Sequence, residues 1–389
     1  MKKTWRWFGT SDPVTLSMLR QIGVQAIATS LHHIPIGKIW QSEDILSLKQ
    51  QIESFDLTWE VVESLPVHES IKYNGERAPR MVDYYKQSLA NLAKAGIHIV
   101  CYNFMPLIEK VRTDFYFPLS HGGHTLRFDP VRFAYFDMHI LRRPHAQHNY
   151  TQECLTAVED LAQVITPQEE QQLAGTILVK PKDFVPGNLI KGAPTPVNHF
   201  RKLLERYGGI GREQLRRNLI NFLQQIIPFA EQHGIKLAIH PDDPPFPLFG
   251  LPRIVSSVDD LEYILHAVDN YYNGLTFCAG SLAAGLHNDV EALAYRFADR
   301  THFLHLRSVD IHSDGAFSEA SPLDGYPNLV KLTRLFETQR PHIPYHIDYG
   351  YHILQDLDPT FYNPGYSFLG RMLAFAQIDG VITTINQLD

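Results

Sequence analysis

The sequence predicts an α/β fold, a (β/α)8 barrel (TIM barrel) formed as a single domain by residues 1–389. Short runs rich in β-branched and aromatic residues alternate with longer amphipathic segments, which is typical of a parallel sheet connected by helices. Eight such runs can be counted, and eight strand–helix units close a barrel of this kind. Glycines at positions 23, 96 and 234 lie between a helical pattern and the next strand, where such connections favour glycine.

The eight predicted strands share this apolar, β-branched and aromatic composition. They are TWRWFG (4–9), VQAIATSL (24–31), LTWEVVESL (57–65), IHIVCYNFM (97–105), IKLAIHP (235–241), GLTFCAG (274–280), THFLHLRSV (301–309) and IPYHIDY (343–349). A helix is predicted after each strand. The clearest spans 42–55, where Ser42 is the expected cap and apolar residues recur at helical spacing. Similar patterns occupy 289–298 and 366–377.

The fourth unit is interrupted by about a hundred residues between its strand and its return helix at about 212–232. A bare loop of this length would be exceptional in a compact domain. The stretch contains helical patterns at 152–165 and 169–178, followed by the Pro- and Gly-rich segment 180–196. We therefore expect residues 106–211 to form a helical insertion that covers the mouth of the barrel or makes a subunit contact.

Composition indicates an ordinary soluble globular protein, with 44% hydrophobic and 20% charged residues. The net charge of -7, without a basic stripe, argues against nucleic acid as a partner. The three cysteines form no CxxC pair, which suits a reducing cytoplasm. The charged N-terminus lacks an apolar signal-peptide core, and no apolar run of about 18 residues predicts a membrane span.

Candidate metal ligands lie at the carboxyl ends of the last four predicted strands, where reactive residues of such barrels are found. They are His240, Cys278, His305 and Asp348. Imidazole, thiolate and carboxylate suit Mn²⁺, Fe²⁺, Co²⁺ or Zn²⁺ better than Mg²⁺ or Ca²⁺. Four protein ligands with room for a substrate favour the higher coordination of Mn²⁺ or Fe²⁺. Each residue alone is also compatible with a core or turn position, but their recurrence at four strand ends favours a metal site.

The residues around these candidates are polar as well. Two aspartates follow His240 directly in HPDDPP (240–245). Arg307 shares a strand face with His305, which places a cation beside the predicted ion. Arginine binds carboxylates bidentately, so Arg307 indicates either an anionic, hydroxylated substrate or a structural salt bridge.

Several motifs resemble the mannonate dehydratase family, which acts in hexuronate breakdown. The similarity extends over almost the whole chain, in WRWFGTSDPV, SLHHIP (30–35), VVESLPVHE, CYNFMP (101–106), LRFD, HPDDPP, LPRIVSS, FCAGS, HLRS and NPGYSFLGR (363–371). The resemblance implies a xylose-isomerase-like barrel activated by Mn²⁺ or Fe²⁺. It also implies the hydro-lyase reaction that converts D-mannonate to 2-keto-3-deoxy-D-gluconate and water. The family's metal ligands match the four residues that end the strands.

The chain departs from the family pattern at two motifs. A family motif resembling RPDHGH is here HIDYGY (346–351), so that Tyr349 replaces an acid–base histidine and His346 replaces an arginine. A second motif resembling EAAHLNGDVDM is here EASPLDGYPNL (319–329), without its histidine and two aspartates. The family's tyrosine in NPGYS is retained as Tyr366. Since the pKa of tyrosine is near 10, Tyr349 can act as a base only beside a metal ion or a strong cation; His346 or His352 are alternative imidazoles.

These departures leave three hypotheses. The first is dehydration of D-mannonate or a close aldonate, with Tyr349, Tyr366 and Arg307 as catalytic residues. The second keeps the metal but leads to isomerisation or epimerisation, and the third is a catalytically weak paralogue that binds sugar acids. His33, Asn103 and His346 are predicted to bind the sugar acid. A cytoplasmic homo-oligomer is expected, without a membrane or nucleic-acid partner.

Overall fold

A computed structural model of the chain describes residues 1–179, 195–358 and 361–388. Its strands, in chain order, are β1 (Lys2–Arg6), β2 (Ala26–Thr29), β3 (Thr58–Glu63), β4 (Ile99–Tyr102), β5 (Asp114–Pro118), β6 (His124–Phe128), β7 (Lys236–Ile239), β8 (Asn273–Cys278), β9 (Thr301–Leu306), β10 (Ser308–Ile311), β11 (Phe317–Ala320) and β12 (Pro344–Ile347). Eight of them, β1, β2, β3, β4, β7, β8, β9 and β12, form a closed barrel in this cyclic order. Every neighbouring pair in the barrel is parallel. The (β/α)8 prediction is therefore confirmed, and each predicted strand overlaps one barrel strand, although β1 and β8 begin before the predicted ranges 4–9 and 274–280.

The helices pack around this barrel. They are α1 (Leu16–Gln21), α2 (Ser42–Glu53), α3 (Glu69–Lys72), α4 (Ala78–Lys94), α5 (Pro130–Tyr135), α6 (Gln152–Val164), α7 (Pro167–Ala174), α8 (Pro196–Glu205), α9 (Arg212–Gln232), α10 (Val258–Ala267), α11 (Ala279–Ala283), α12 (Val290–Phe297), α13 (Leu329–Gln339) and α14 (Phe368–Leu388). The three helices named from the sequence correspond to α2, α12 and α14. The expected cap of α2 is wrong: Ser42 is its first helical residue, and Gln41 precedes it without a capping side-chain hydrogen bond.

The segment between β4 and α9 is not only helical, contrary to the sequence pattern. Strands β5 and β6 form an antiparallel hairpin that joins β10 and β11 in a four-stranded sheet, in the order β10-β11-β6-β5. The helical patterns at 152–165 and 169–178 correspond to α6 and to α7 with the π-helical turn after it. Of the Pro- and Gly-rich segment, residues 180–194 lie outside the described residues.

Helix α14 is long and apolar enough to cross a membrane by length and composition, with a mean hydropathy of 1.3 in its most apolar window. The sequence predicts a helix here but no membrane span. Its first turns pack on the barrel, where Trp5 of β1 stacks on Phe375 at 5.5 Å between ring centroids. Lys3 also pairs with Asp379 at 2.6 Å. Core helices of soluble proteins meet the same length and composition criteria, so this feature is weak support for a span, and the absence of a membrane partner stays a prediction.

The barrel interior places an apolar layer directly beneath the candidate site. Small and apolar side chains from four strands contact one another there: Ala28, Val61, Ile99, Cys101 and Phe303. Because side chains alternate along a strand, His305 lies on the same face as Phe303, two residues closer to the carboxyl end of β9. The two rings lie 4.6 Å apart in an edge-to-face arrangement. The apolar layer therefore supports the polar residues above it.

Candidate metal centre

The four predicted ligands converge at the carboxyl ends of their strands. His240 and Asp348 directly follow β7 and β12, while Cys278 ends β8 and His305 is the penultimate residue of β9. Strand register pairs Cys278 with His305, so that these two side chains are neighbours. One donor atom from each of the four residues lies within 4.8 Å of the others, and all four are buried. We call these four residues the donor group.

The donor atoms fit a metal ion because the protein leaves several of them without hydrogen bonds. His240 Nδ1 lies 2.6 Å from the carbonyl oxygen of Pro241, which orients Nε2 inward. Among the described residues, His240 Nε2 and both ring nitrogens of His305 have no hydrogen-bond partner. A buried polar atom without a partner is costly, and a coordinated ion would remove that cost. The mixed N, S and O donor set suits a borderline divalent ion.

Burial and a nearby lysine set the protonation of the donor group. Burial, together with Lys110, lowers the pKa of His240 to about 4, so this ring is neutral and able to coordinate. Burial alone would raise the pKa of Asp348, but the positive charges of Lys110 and Arg307 hold it well below its usual value. Burial raises the pKa of the Cys278 thiol to about 12. A bound cation would favour its thiolate form.

Arg307 is fully engaged by protein groups. Its Nε and Nη2 donate to the two carboxylate oxygens of Glu319 at 2.6 and 2.8 Å. Its Nη1 donates to Asp243 Oδ2 at 2.9 Å and to Ser281 Oγ at 3.0 Å. The side chain is only 3% exposed. The sequence left two roles open for Arg307, a structural salt bridge or direct binding of an anionic substrate. The geometry matches the salt bridge better.

Tyr349 and Tyr366 lie beside the donor group. The Tyr366 hydroxyl is 3.3 Å from Asp348 Oδ1, and the Tyr349 ring packs against that of Tyr366 at 5.2 Å between centroids. Arg307 and Lys110 lie near the Tyr349 ring, at 4.9 and 5.1 Å from its centroid. Even with these cations nearby, burial raises the pKa of Tyr349 well above its ordinary value. Its phenol is therefore protonated at neutral pH, so it can donate a hydrogen bond but is not a base.

The structure separates the predicted substrate-binding residues. Asn103 lines a small cavity next to the donor group, to which His240 also contributes. His346 is buried beside His305, with 4.1 Å between the ring centroids, and its Nε2 is 3.5 Å from Glu63 Oε2. His33 is exposed, and its Nε2 lies 3.9 Å from Asp44 on α2. Asn103 and His346 are thus close to the donor group, whereas no contact connects His33 to it.

Several charged residues at this site were missed by sequence reasoning. The residues that line the cavity are Arg6, Glu63, Ser64, Cys101, Asn103, Glu109, Lys110, His240 and Tyr366. Glu63 ends β3 and Arg6 ends β1, so strand ends in the first half of the barrel could have indicated them. Lys110 lies in a loop after β4, and no periodicity or spacing in the sequence marks it. Its proximity to Asp348 depends on tertiary structure alone.

Buried neutral histidines predict that the metal-free protein loses stability below neutral pH. Burial lowers the pKa values of His240 and His302 to about 4 and about 3, and those of His305 and His346 also fall below their usual value. An unfolded histidine titrates near 6.5, so below that pH the unfolded state binds more protons than the folded state. Stability is present above pH 6.5 and is lost as the pH falls, by about 1.4 kcal/mol per pH unit for His240 and for His302 until the folded-state pKa of each is reached. Urea titrations at pH 7, 6 and 5 measure this; an unchanged midpoint would contradict it.

The barrel and the donor group define a class, the (β/α)8 proteins with a candidate metal centre at the carboxyl ends of the strands. A family model described as D-mannonate dehydratase (UxuA) matches residues 1–389. A mannonate dehydratase of Chromohalobacter salexigens is 42% identical over the full length of both chains. The chain therefore belongs to the mannonate dehydratase family.

Solved structures agree with this assignment. The mannonate dehydratase of Streptococcus suis serotype 2 is 30% identical, with a TM-score of 0.78, and the match covers 100% of this chain and 94% of that one. A xylose isomerase domain protein of Alicyclobacillus acidocaldarius has a TM-score of 0.50 at 12% identity, covering 99% of both chains. The second likeness concerns the fold alone and agrees with a xylose-isomerase-like barrel.

Proposed function

We propose that this chain is a hydro-lyase that converts D-mannonate to 2-keto-3-deoxy-D-gluconate and water. The observation that carries the proposal is the buried donor group, whose four donor atoms lie within 4.8 Å of one another in a member of the mannonate dehydratase family. An aldonate is small, anionic and hydroxylated, and the cavity next to the donor group is lined by cationic, carboxylate and amide side chains. Neither isomerisation nor a silent paralogue is favoured by any of these observations.

We propose Mn²⁺ or Fe²⁺ as the cofactor, held by His240, Cys278, His305 and Asp348. A divalent ion supplies Lewis-acid stabilisation of the negative charge that develops when the C2 proton is removed. The neutral imidazoles and the depressed pKa of Asp348 prepare three of the four side chains for coordination. Arg307 lies 3.9 Å from Cys278 Sγ, where its charge favours the thiolate.

The chain's own residues would then move the protons. We assign Tyr366 as the acid that protonates the departing C3 hydroxyl, because its hydroxyl lies beside Asp348 and is buried. Tyr349 would orient this phenol and assist as a donor. His346 and His352 are the two histidines that could serve as the base instead of Tyr349. Both ring nitrogens of His352 already have partners, the Asp356 carbonyl at 3.0 Å and the Gly365 amide at 2.9 Å. His346 keeps Nε2 without a hydrogen bond among the described residues, so we assign it rather than His352 as the imidazole that accepts the C2 proton.

The remaining assignments follow from this function. Arg307 acts by positioning Glu319 and Asp243, and Asn103 is a substrate contact in the cavity. His33 would approach the substrate only if the exposed loop that carries it moved inward. The described part of the segment 106–211 covers the site in this proposal, since it contributes Lys110 and Arg112 to the buried contacts. We also propose a cytoplasmic homo-oligomer.

Activity measurements test the proposal directly. Purified protein should form a 2-keto-3-deoxy acid from D-mannonate when supplied with Mn²⁺ or Fe²⁺, and much more slowly with Mg²⁺ or after chelation. Product formation can be followed by the colour reaction of 2-keto-3-deoxy acids with thiobarbiturate. Protein that contains one equivalent of metal yet converts neither D-mannonate nor other aldonates would contradict the proposed function.

A further inference from the structure

Two described residues that line the cavity are cationic, and they differ in how tightly the protein holds them. Arg6 Nη1 donates to Glu63 Oε1 at 2.6 Å, and both side chains are almost fully buried. Lys110 Nζ is 3.4 Å from Asp348 Oδ1 and 3.3 Å from the Tyr366 hydroxyl. Charge-assisted hydrogen bonds are usually 2.7–2.9 Å long, so the contacts of Lys110 are weak. Lys110 is therefore the cation that can change partner most easily.

The backbone that carries Lys110 is fixed, although its ammonium group is loosely held. The Val111 amide donates to the carbonyl of Asp243 at 3.3 Å, in a bridge between Lys110 and Asp243. On the other side, Arg253 Nη2 donates to the carbonyl of Ile108 at 3.1 Å. The Lys110 side chain is 11% exposed. The ammonium group thus reaches the cavity from a well-defined position.

Asp348 is the shared partner of Lys110 and of any ion in the donor group. An ion bound by Asp348 would compete with the ammonium group for that carboxylate. Two cations on one carboxylate repel each other strongly in a site of low polarity. The ammonium group would then need another anion, and the cavity faces the position where an aldonate would bind.

We propose that Lys110 binds the carboxylate of the sugar-acid substrate, a role that the sequence had left open for Arg307. This inference rests on the proposed function, since it names the partner of the substrate's carboxylate at the same site. Arg307 is unsuited because all three of its nitrogens already donate to protein acceptors. A cation on the substrate's carboxylate also makes the C2 proton easier to remove, because the neighbouring negative charge is neutralised. Lys110 therefore selects for acids over neutral sugars.

Binding of an inert ligand pair tests this role without turnover. The 3-deoxy analogue of D-mannonate lacks the leaving hydroxyl, and its primary amide differs only in charge. For Mn²⁺-loaded protein, we expect Lys110→Met to weaken binding of the acid ten- to a hundredfold, as for loss of a hydrogen bond to a charged group. Binding of the amide should change less than threefold. Calorimetric titration measures both affinities.

A second readout separates substrate binding from a structural role. Lys110→Met should bind Mn²⁺ at least as tightly as the natural protein, because the competing ammonium group is gone. Lys110→Arg should recover part of the acid's affinity. Lys331→Met is the matched control, because Lys331 is an exposed partner of Glu291, and it should change neither affinity.

The inference is overturned if Lys110→Met weakens acid and amide equally, if it leaves the acid's affinity intact, or if it lowers Mn²⁺ affinity. Failure of the proposed function is a different result. Natural protein that binds the acid through Lys110 but forms no 2-keto-3-deoxy acid would refute the reaction and leave the carboxylate site standing.

Discussion

Replacing Asp348 by Asn is expected to lower Mn²⁺ affinity and dehydration of D-mannonate by at least about 100-fold. Residues that only orient a metal ligand typically cost 10- to 100-fold when they are changed, and Asp348 is a proposed ligand itself. The carboxylate supplies the one full negative charge of the donor group at neutral pH, because the imidazoles are neutral and the Cys278 thiol is protonated without an ion. Asparagine keeps the shape of the side chain but removes that charge. Metal content after gel filtration and product formation give the two measurements.

The control for this variant is the same substitution at an aspartate on the surface. Asp269 is 77% exposed and pairs with Arg300, so Asp269→Asn should keep both metal content and activity. Circular dichroism should show that Asp348→Asn remains folded, because the change is nearly isosteric. If Asp348→Asn retained one equivalent of Mn²⁺ at natural affinity, the donor group would not be the metal site.

The barrel could be predicted from sequence because each of its units is local. A buried parallel strand is a short run of β-branched and aromatic residues, and Thr301–Leu306 of β9 is buried at every position. The hairpin of β5 and β6 could not be recognised in this way. These two strands, residues 114–118 and 124–128, are short and partly exposed. The sheet that they form with β10 and β11 connects segments far apart in the sequence. Such pairing leaves no periodic pattern.

The same distinction explains what was predicted of the site. The donor group lies at strand ends, so its position follows from the strand assignments and the closure of the barrel. Lys110, Arg112 and Glu319 reach the site from loops and from the second sheet, and only the folded structure places them there. The sequence placed Arg307 beside the predicted ion but left open whether it binds a substrate or forms a salt bridge. Two carboxylates from distant segments decide this in favour of the salt bridge.

Glu319, the first residue of the altered motif EASPLDGYPNL (319–329), takes part in a network of buried charged side chains. It accepts hydrogen bonds from Arg112 Nη2 at 2.9 Å and from Arg307 Nε at 2.6 Å. Asp243 completes the network, since it pairs with Arg112 and with Arg307, both at 2.9 Å. All four side chains are almost fully buried. The network joins the segment after β4 to the ends of β7 and β9, next to the donor group.

Replacing Glu319 by Gln is therefore expected to lower the free energy of unfolding by about 3–5 kcal/mol, because two buried arginines lose a charged partner. Glutamine retains one acceptor oxygen but turns its amide donor towards a guanidinium group. Urea denaturation at pH 7 measures the change. The comparison is Glu291→Gln, which breaks the pair between Glu291 and the exposed Lys331 and should leave the unfolding midpoint nearly unchanged.

Activity of the same variant shows whether the network also positions the site. Arg307 contacts Ser281 at 3.0 Å, and Ser281 donates to Cys278 Sγ at 3.1 Å. If Glu319 holds Arg307 in place, Glu319→Gln should weaken Mn²⁺ binding under conditions where the protein is still folded, and Glu291→Gln should not. A Glu319→Gln protein as stable as the natural one would show that the buried arginines are satisfied without it. In the folded Glu319→Gln variant, the kcat for D-mannonate should fall more than the KM rises, because Glu319 acts on Cys278 through Arg307 and does not line the cavity.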